Sequence, residues 1–247
     1  MMDDITFVWL TFHNDAPCCV QSVGSILDLG ADPGRCWVAE TRGKEIRDEE
    51  RRALTDMGVR IRKSRFTRSE TYADLVNVLD VCSEAAREDR ARWVYQLDSD
   101  VIVERMDPVA GAIEAGAVAM AGSAEGCRFA GCSWLCRTDA LECIRRDVKT
   151  VNTLKIPGRT TSDVPCGSLL DHFYGRDKVV RHLNNRDAGG YLRSWHYGFD
   201  EAPMEDLLRW DVIHFGSRKF VRAGGRPIRD VVAETMAGFR QFLLRQS

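Results

Sequence analysis

Residues 93–108 read "WVYQLDSDVIVERMDP". Two carboxylates, Asp98 and Asp100, stand one residue apart between an apolar run that ends at Leu97 and a second formed by Val101, Ile102 and Val103. A bend at Ser99 suits the carboxyl end of a strand, where open α/β sheets collect their ligands. Burying two carboxylates side by side raises the pKa of one of them unless a cation lies between. A divalent metal removes that conflict, and hard oxygen donors suit Mg²⁺ or Mn²⁺. An isolated D-x-D reads more readily as a turn where both carboxylates cap backbone N–H groups or face water. The apolar flanks on both sides, and a second polar cluster far downstream, favour the metal.

Outward from this stretch, short apolar runs alternate with helical patterns, which predicts an α/β sheet with crossover helices. Strands are expected at 5–12 ("ITFVWLTF"), 36–40 ("CWVAE"), 59–62 ("VRIR"), 93–97, 117–122 ("AVAMAG"), 131–136 ("GCSWLC") and 211–215 ("DVIHF"). Helices are expected at 20–30, closed by Gly30 in the left-handed conformation, and at 45–58, closed by Gly58. Residues 70–86 place Leu75, Val78, Leu79 and Cys82 at helical spacing. Asp107 and Pro108 read as a cap and first helical residue, and Thr138 as the cap of a helix over "TDALECIRR". From 147 to 200 the pattern weakens, and that is where substrate-facing loops are expected. No repeat, low-complexity tract or linker divides the chain. The reading is one domain over 1–247, a mostly parallel Rossmann-like central sheet flanked by helices.

The chain has 247 residues, 44% hydrophobic and 29% charged, with a formal net charge of -2. It can bury a sizeable core, and its bulk charge argues against nucleic acid as a partner. Nine cysteines are scattered with no C-x-x-C pair, and the acidic start "MMDDITFVWLTF" does not resemble a signal peptide, so a reduced, cytoplasmic protein is expected. Cys127, Cys132, Cys136 and Cys143 lack zinc-ribbon spacing and read as buried thiols. No stretch approaches the roughly 20 apolar residues a membrane span needs.

The downstream cluster is "VIHFGSRK", in which His214, Gly216 and Lys219 form H-x-G-x-x-K at the end of a strand-like run. Imidazole added to two carboxylates favours Mn²⁺ over Ca²⁺. Glycine lets backbone approach an anion closely, and lysine supplies a point charge for phosphate. Together the clusters describe a metal held over a diphosphate.

"YQLDSDVIVERMDP" resembles the D-x-D segment of GT-A fold glycosyltransferases, and "VIHFGSRK" resembles the H-x-G-x-x-K segment of glycosyltransferase family 8. The motif order is similar over most of the chain, while residue-level similarity covers these two segments. The resemblance implies a nucleotide-binding half at 1–105, a donor-sugar and acceptor half at 106–227, and a C-terminal helix at 228–247. It implies that Asp98 binds ribose and metal, that Asp100 and His214 complete the metal ligands, and that Gly216 and Lys219 contact the diphosphate. The segment from Thr11 to Asp15, with Phe12 and above all Asn14, would receive base and ribose, with Ser99 beside them. "FAGCSWL" (129–135) stands where the family carries "FNSG", with Ala130 in place of asparagine. Phe220 and Val221 replace the proline and tryptophan that often follow the histidine motif.

The implied activity is transfer of a hexose-type sugar from a nucleotide-diphosphate sugar, a UDP-sugar by resemblance, to a hydroxyl of a glycan, lipid or protein, with Mn²⁺ or Mg²⁺ as cofactor. Family 8 enzymes are retaining, which calls for a polar group on the donor sugar, whereas an inverting enzyme needs a carboxylate base toward the acceptor. Asp163 and Asp171, in "TTSDVPCGSLLDHF", are the candidates for donor-sugar contact, although "SDVP" also reads as a helix cap. His196, Asp200 and Glu201 are candidates for acceptor contact. The tail 228–247 places Ile228, Val231, Val232, Phe239, Phe242 and Leu243 near one helical face. Some relatives dock on membranes through a basic C-terminal helix, but Asp230 and Glu234 dilute the basic face here, favouring packing on its own domain or a second subunit. A sugar-phosphate nucleotidyltransferase would need a glycine-rich loop after the first strand, which "TFHNDAPCC" lacks. A non-catalytic relative that binds a glycan or protein remains the alternative from outside the enzymes.

Overall fold

The computed structural model describes residues 2–67, 72–124, 127–151, 170, 172–181, 212–215 and 228–246. Strands β1 (Ile5–Thr11), β2 (Cys36–Glu40) and β4 (Trp93–Leu97) are buried along their whole length, as their unbroken apolar runs require of strands covered on both faces. Strand β3 (Arg60–Lys63) carries charged, exposed side chains and lies at the sheet edge, where charge discourages further pairing. The rest are β5 (Val101–Val103), β6 (Ala119–Ala124), β7 (Cys127–Arg137), β8 (Val179–Arg181) and β9 (Val212–His214).

The main sheet has the order β3-β2-β1-β4-β7-β6-β8, with β5 and β9 forming a separate antiparallel pair. Strands β1 to β4 run parallel in the first half, β7 is antiparallel to both β4 and β6, and β8 returns parallel to β6. The mostly parallel α/β sheet predicted above is therefore present.

Alternation along the strands sorts the core into two layers. Phe7, Trp9, Tyr95 and Leu97 face helices α1 (Ala16–Asp28), α2 (Asp48–Asp56) and α4 (Asp107–Glu114), meeting Val23, Ile26, Leu54 and Val109. Val8, Val94, Trp134 and Cys136 face α3 (Tyr72–Asp89) and α5 (Thr138–Val151), meeting Leu79, Cys82, Leu141 and Ile144. Helix α6 (Ile228–Gln246) covers the β5–β9 pair: Val232, Met236 and Phe239 pack on Ile102, Ile213, Phe215 and Cys18 of α1. Of the apolar face of the tail, Val232 and Phe239 are buried in this contact, with Phe242 and Leu243 partly buried beside them. Among the described residues no helix is long and apolar enough to cross a membrane.

Several boundaries differ from the sequence reading. Helix α1 starts at Ala16 instead of residue 20, because Pro17 at its first turn needs no intrahelical N–H partner. Helix α4 takes Met106 as its cap, with Asp107 already in its first turn. The Thr138 hydroxyl does not cap α5; it donates to the Ala91 carbonyl at 2.8 Å. Strand β7 begins at Cys127, well before residue 131. Gly30 and Gly58 do close α1 and α2, with φ of +88° and +81°. Of the cysteines, Cys136 is packed in the core and Cys143, half-buried, accepts a hydrogen bond from the Tyr174 hydroxyl at 3.6 Å.

Candidate functional site

The parallel strands β1, β2 and β4 end together on one edge of the sheet. Strand β4 stops at Leu97, and residues 98–100 turn away before the chain re-enters extended conformation as β5. Asp98 is half-buried, while Ser99 and Asp100 are buried. The Ser99 hydroxyl donates to the Leu10 carbonyl at 3.4 Å, tying the turn to the end of β1. The Gln96 side chain, on the same strand face as Asp98, reaches its carboxylate at 3.5 Å.

Strand β5 pairs with β9 in a register that sets Val101 opposite His214 and Val103 opposite Val212. The Phe215 N–H donates to the Asp100 carbonyl at 2.8 Å, extending the pairing into the turn. The backbones that carry Asp98, Asp100 and His214 are thereby brought together, although more than a hundred residues separate them along the chain. Gly216 and Lys219 follow just beyond and lie outside the described residues, as do Asp163, Asp171, His196, Asp200 and Glu201. Ala130 lies in β7 opposite Gly122 of β6.

Helix α1 supports the turn from below with small residues that the sequence reading passed over. The Ser22 hydroxyl accepts from the Trp9 indole N–H at 2.8 Å and lies 3.4 Å from the Asp98 carbonyl. The Ser25 hydroxyl accepts from the Val103 N–H at 3.2 Å and donates to the Ser22 carbonyl at 2.7 Å. Cys18, Cys19, Ser22 and Ser25 follow helical spacing, which was the available signal, but small residues on a helix face read equally as packing. Burial pushes the Cys19 thiol up to about 12, with the Thr11 and Ser99 hydroxyls against its sulfur opposing the shift. Burial also raises Cys18, and the nearby Asp100 charge adds to it. Both thiols are therefore neutral spacers under the turn.

The rim beside the turn comes from two loops. Thr11 is buried at the end of β1, Phe12 and His13 are half-buried with their rings edge to face at 5.5 Å, and Asn14 is exposed. The loop after β2 is pinned against this segment. Thr41 donates its N–H and hydroxyl to the Thr11 carbonyl at 2.8 and 2.9 Å, and the His13 N–H donates to the Lys44 carbonyl at 3.1 Å. Glu40, buried and ion-paired with Arg51, accepts from the Ile46 N–H at 3.1 Å. The arrangement is a shelf at the carboxyl ends of three parallel strands, with the D-x-D turn on one side and an aromatic and amide rim on the other. Such a shelf suits a ligand with a charged end and a planar end.

No protein-family model matches the chain, and no curated protein matches it in sequence. Solved structures do match in fold. The glycosyltransferase GlyE of Streptococcus pneumoniae superposes with a TM-score of 0.54 at 15% identity, covering 98% of this chain and 62% of GlyE. The galactosyltransferase LgtC, in complex with donor and acceptor sugar analogs, gives 0.53 at 14% identity, covering 94% of this chain and 95% of LgtC. The bifunctional glycosyltransferase WbbM gives 0.53 at 12% identity, covering 98% of this chain and 51% of WbbM. The chain thus spans nearly all of LgtC but less than two thirds of GlyE or WbbM. At these identities the likeness speaks for the fold, which is the GT-A fold of glycosyltransferases.

Proposed function

We propose that this protein is a metal-dependent glycosyltransferase that moves a hexose-type sugar from a nucleoside-diphosphate sugar, a UDP-sugar by its resemblance to family 8, to a hydroxyl of a glycan, lipid or protein. The observation that carries this reading is the β5–β9 pairing, which sets the backbone of His214 beside the D-x-D turn at the ligand-collecting edge of the sheet. Asp98, Asp100 and His214 are on this reading the protein ligands of Mn²⁺ or Mg²⁺. The residues fit such an ion by their donor chemistry: Asp98 and Asp100 offer hard carboxylate oxygens from one turn, and His214 adds an imidazole, a set that suits Mn²⁺. When bound, the metal stabilises negative charge developing on the leaving diphosphate.

The remaining roles fall to the chain itself. Gly216 leaves room for the diphosphate and Lys219 neutralises part of its charge. Thr11, Phe12, Asn14 and Ser99 receive base and ribose, and Asp163 and Asp171 contact the donor sugar. In the reaction the bond between the anomeric carbon and the diphosphate oxygen breaks, a bond to the acceptor oxygen forms, and the acceptor hydroxyl gives up its proton. Retention of configuration is the outcome the resemblance favours; inversion would require a carboxylate within reach of that proton. Residues 1–105 then serve the nucleotide and 106–227 the sugar and acceptor, in a protein of the cytoplasm.

The test is titration calorimetry of UDP with and without Mn²⁺, followed by hydrolysis of a panel of nucleotide sugars. Binding that depends on metal, and that falls about 100-fold or more in Asp100→Asn and His214→Ala, is expected, since even outer-shell changes cost 10–100-fold in metal affinity. Metal-independent behaviour across all nucleoside diphosphates, or equal turnover by Asp100→Asn, would remove the mechanism.

A further inference from the structure

We infer that Lys44, on the loop between β2 and α2, selects a uracil base in the bound nucleotide by donating a hydrogen bond to its C4 carbonyl oxygen. The inference rests on reading the shelf as a nucleoside-diphosphate site, and it adds a residue from a loop that the sequence motifs do not touch.

Four observations carry it. First, strand order places β1 between β4 and β2, so the loop after β2 stands two inter-strand spacings, about 10 Å, from the carboxylate turn. A nucleoside diphosphate whose phosphates lie at Asp98 and Asp100 is long enough for its base to reach that loop. Second, the loop is fixed: Gly43 takes φ of +73°, the Lys44 N–H donates to the Thr41 carbonyl at 3.1 Å, and the Lys44 carbonyl accepts from His13. Third, the exposed Lys44 ammonium lies over the Phe12 ring, 5.9 Å from its centroid, so an aromatic face and a cation stand together on the rim. Fourth, the ammonium donates three hydrogen bonds and accepts none. Its weak hold on the ring leaves donors for a ligand.

A donor-only group discriminates by what faces it. Uracil offers a carbonyl oxygen at C4, whereas cytosine carries an amino group there, itself a donor; the C2 carbonyl is common to both and does not discriminate. The two bases have the same size and stack alike, so UDP and CDP isolate the contact. The Phe12 ring contributes to both and chooses neither.

The experiment measures UDP and CDP affinity with Mn²⁺ present for the wild type, Lys44→Met and, as a control, Asp100→Asn. Methionine keeps the length and apolar stem while removing the donors. The wild type is expected to favour UDP. Lys44→Met should weaken UDP about tenfold while CDP changes less than twofold, in keeping with loss of one charge-assisted hydrogen bond. Equal weakening of both nucleotides, no change in either, or a wild type without preference would overturn the inference. If the wild type binds neither nucleotide with metal, the glycosyltransferase reading falls and takes this inference with it. If Asp100→Asn abolishes binding while Lys44→Met leaves the preference intact, only the inference falls.

Discussion

Ser22 is where the first layer of the core and the carboxylate turn share one atom. Its hydroxyl accepts from the buried Trp9 indole N–H and neighbours the Asp98 backbone. Replacing Ser22 with Ala leaves the Trp9 N–H buried without that acceptor, a loss of about 1–3 kcal/mol. Urea denaturation of Ser22→Ala should show this, while Ser22→Thr, which keeps an acceptor, should lose less. The thiols make a second residue-scale case. Cys18, Cys19, Cys36, Cys82 and Cys136 are fully buried and burial raises all of them, whereas Cys143 is half-buried. Iodoacetamide at pH 8 should label Cys143 first among these six, and peptide mass spectrometry should find the other five labelled only in denaturant. An early adduct on Cys18 or Cys19 would mean that the site edge opens in solution.

At the scale of elements, the β5–β9 pair is no part of the main sheet; Ile102 and Ile213 pack with α6, while Val101, Val103 and Val212 join the first core layer. Phe239→Ala in α6 should cost about 3–5 kcal/mol, as such core truncations do. Because its neighbours include Phe215, the loss should concentrate there: hydrogen exchange should quicken in β5 and β9 before β4. Helix α6 is also clamped by Arg240, which pairs with Asp28 across the helix interface and lies over Gly24, where a Cβ would collide with its guanidinium. Gly24→Ala would displace that flexible group, so the expected cost is at most about 1 kcal/mol, read against Arg240→Ala in a double-mutant cycle.

The same elements show what a sequence can reveal. Strands β1, β2 and β4 were legible because burial on both faces demands continuous apolar runs; Asp98, Asp100 and His214 stand out in the sequence because polar groups interrupt such runs, and the structure adds that their backbones meet through β5 and β9. Strand β5 was hidden because three apolar residues after a turn fit any buried segment, and β8 because its three residues, "VVR", are too short a run to mark a strand. The rim residue Lys44 left no trace at all, since a lysine in a polar loop is ordinary until a neighbouring loop gives it a partner.

Taken as a whole, the molecule keeps its protons on buried sulfur, and this sets its response to alkali. Burial raises these thiols above their ordinary value of 9.0, with Cys19 and Cys36 reaching about 12. The folded chain then holds protons that the unfolded chain releases, so the stability these groups contribute is complete below pH 9 and is lost as pH rises toward 12. The melting temperature should hold to about pH 8 and fall beyond 9, and Cys36→Ala should make that fall shallower. A melting temperature flat to pH 10.5 would contradict the burial described for these thiols.

The pairing of Val103 with Val212 also has a consequence in time. Strand β4 and its turn can form early against the neighbouring β1, but β9 must return across more than a hundred residues, and closing a long loop costs entropy before any contact rewards it. Refolding followed by far-ultraviolet circular dichroism should therefore run ahead of refolding followed by recovery of Mn²⁺-dependent UDP binding. A newly made chain would pass through a stage in which its sheet is built and its ligand shelf is still one strand short.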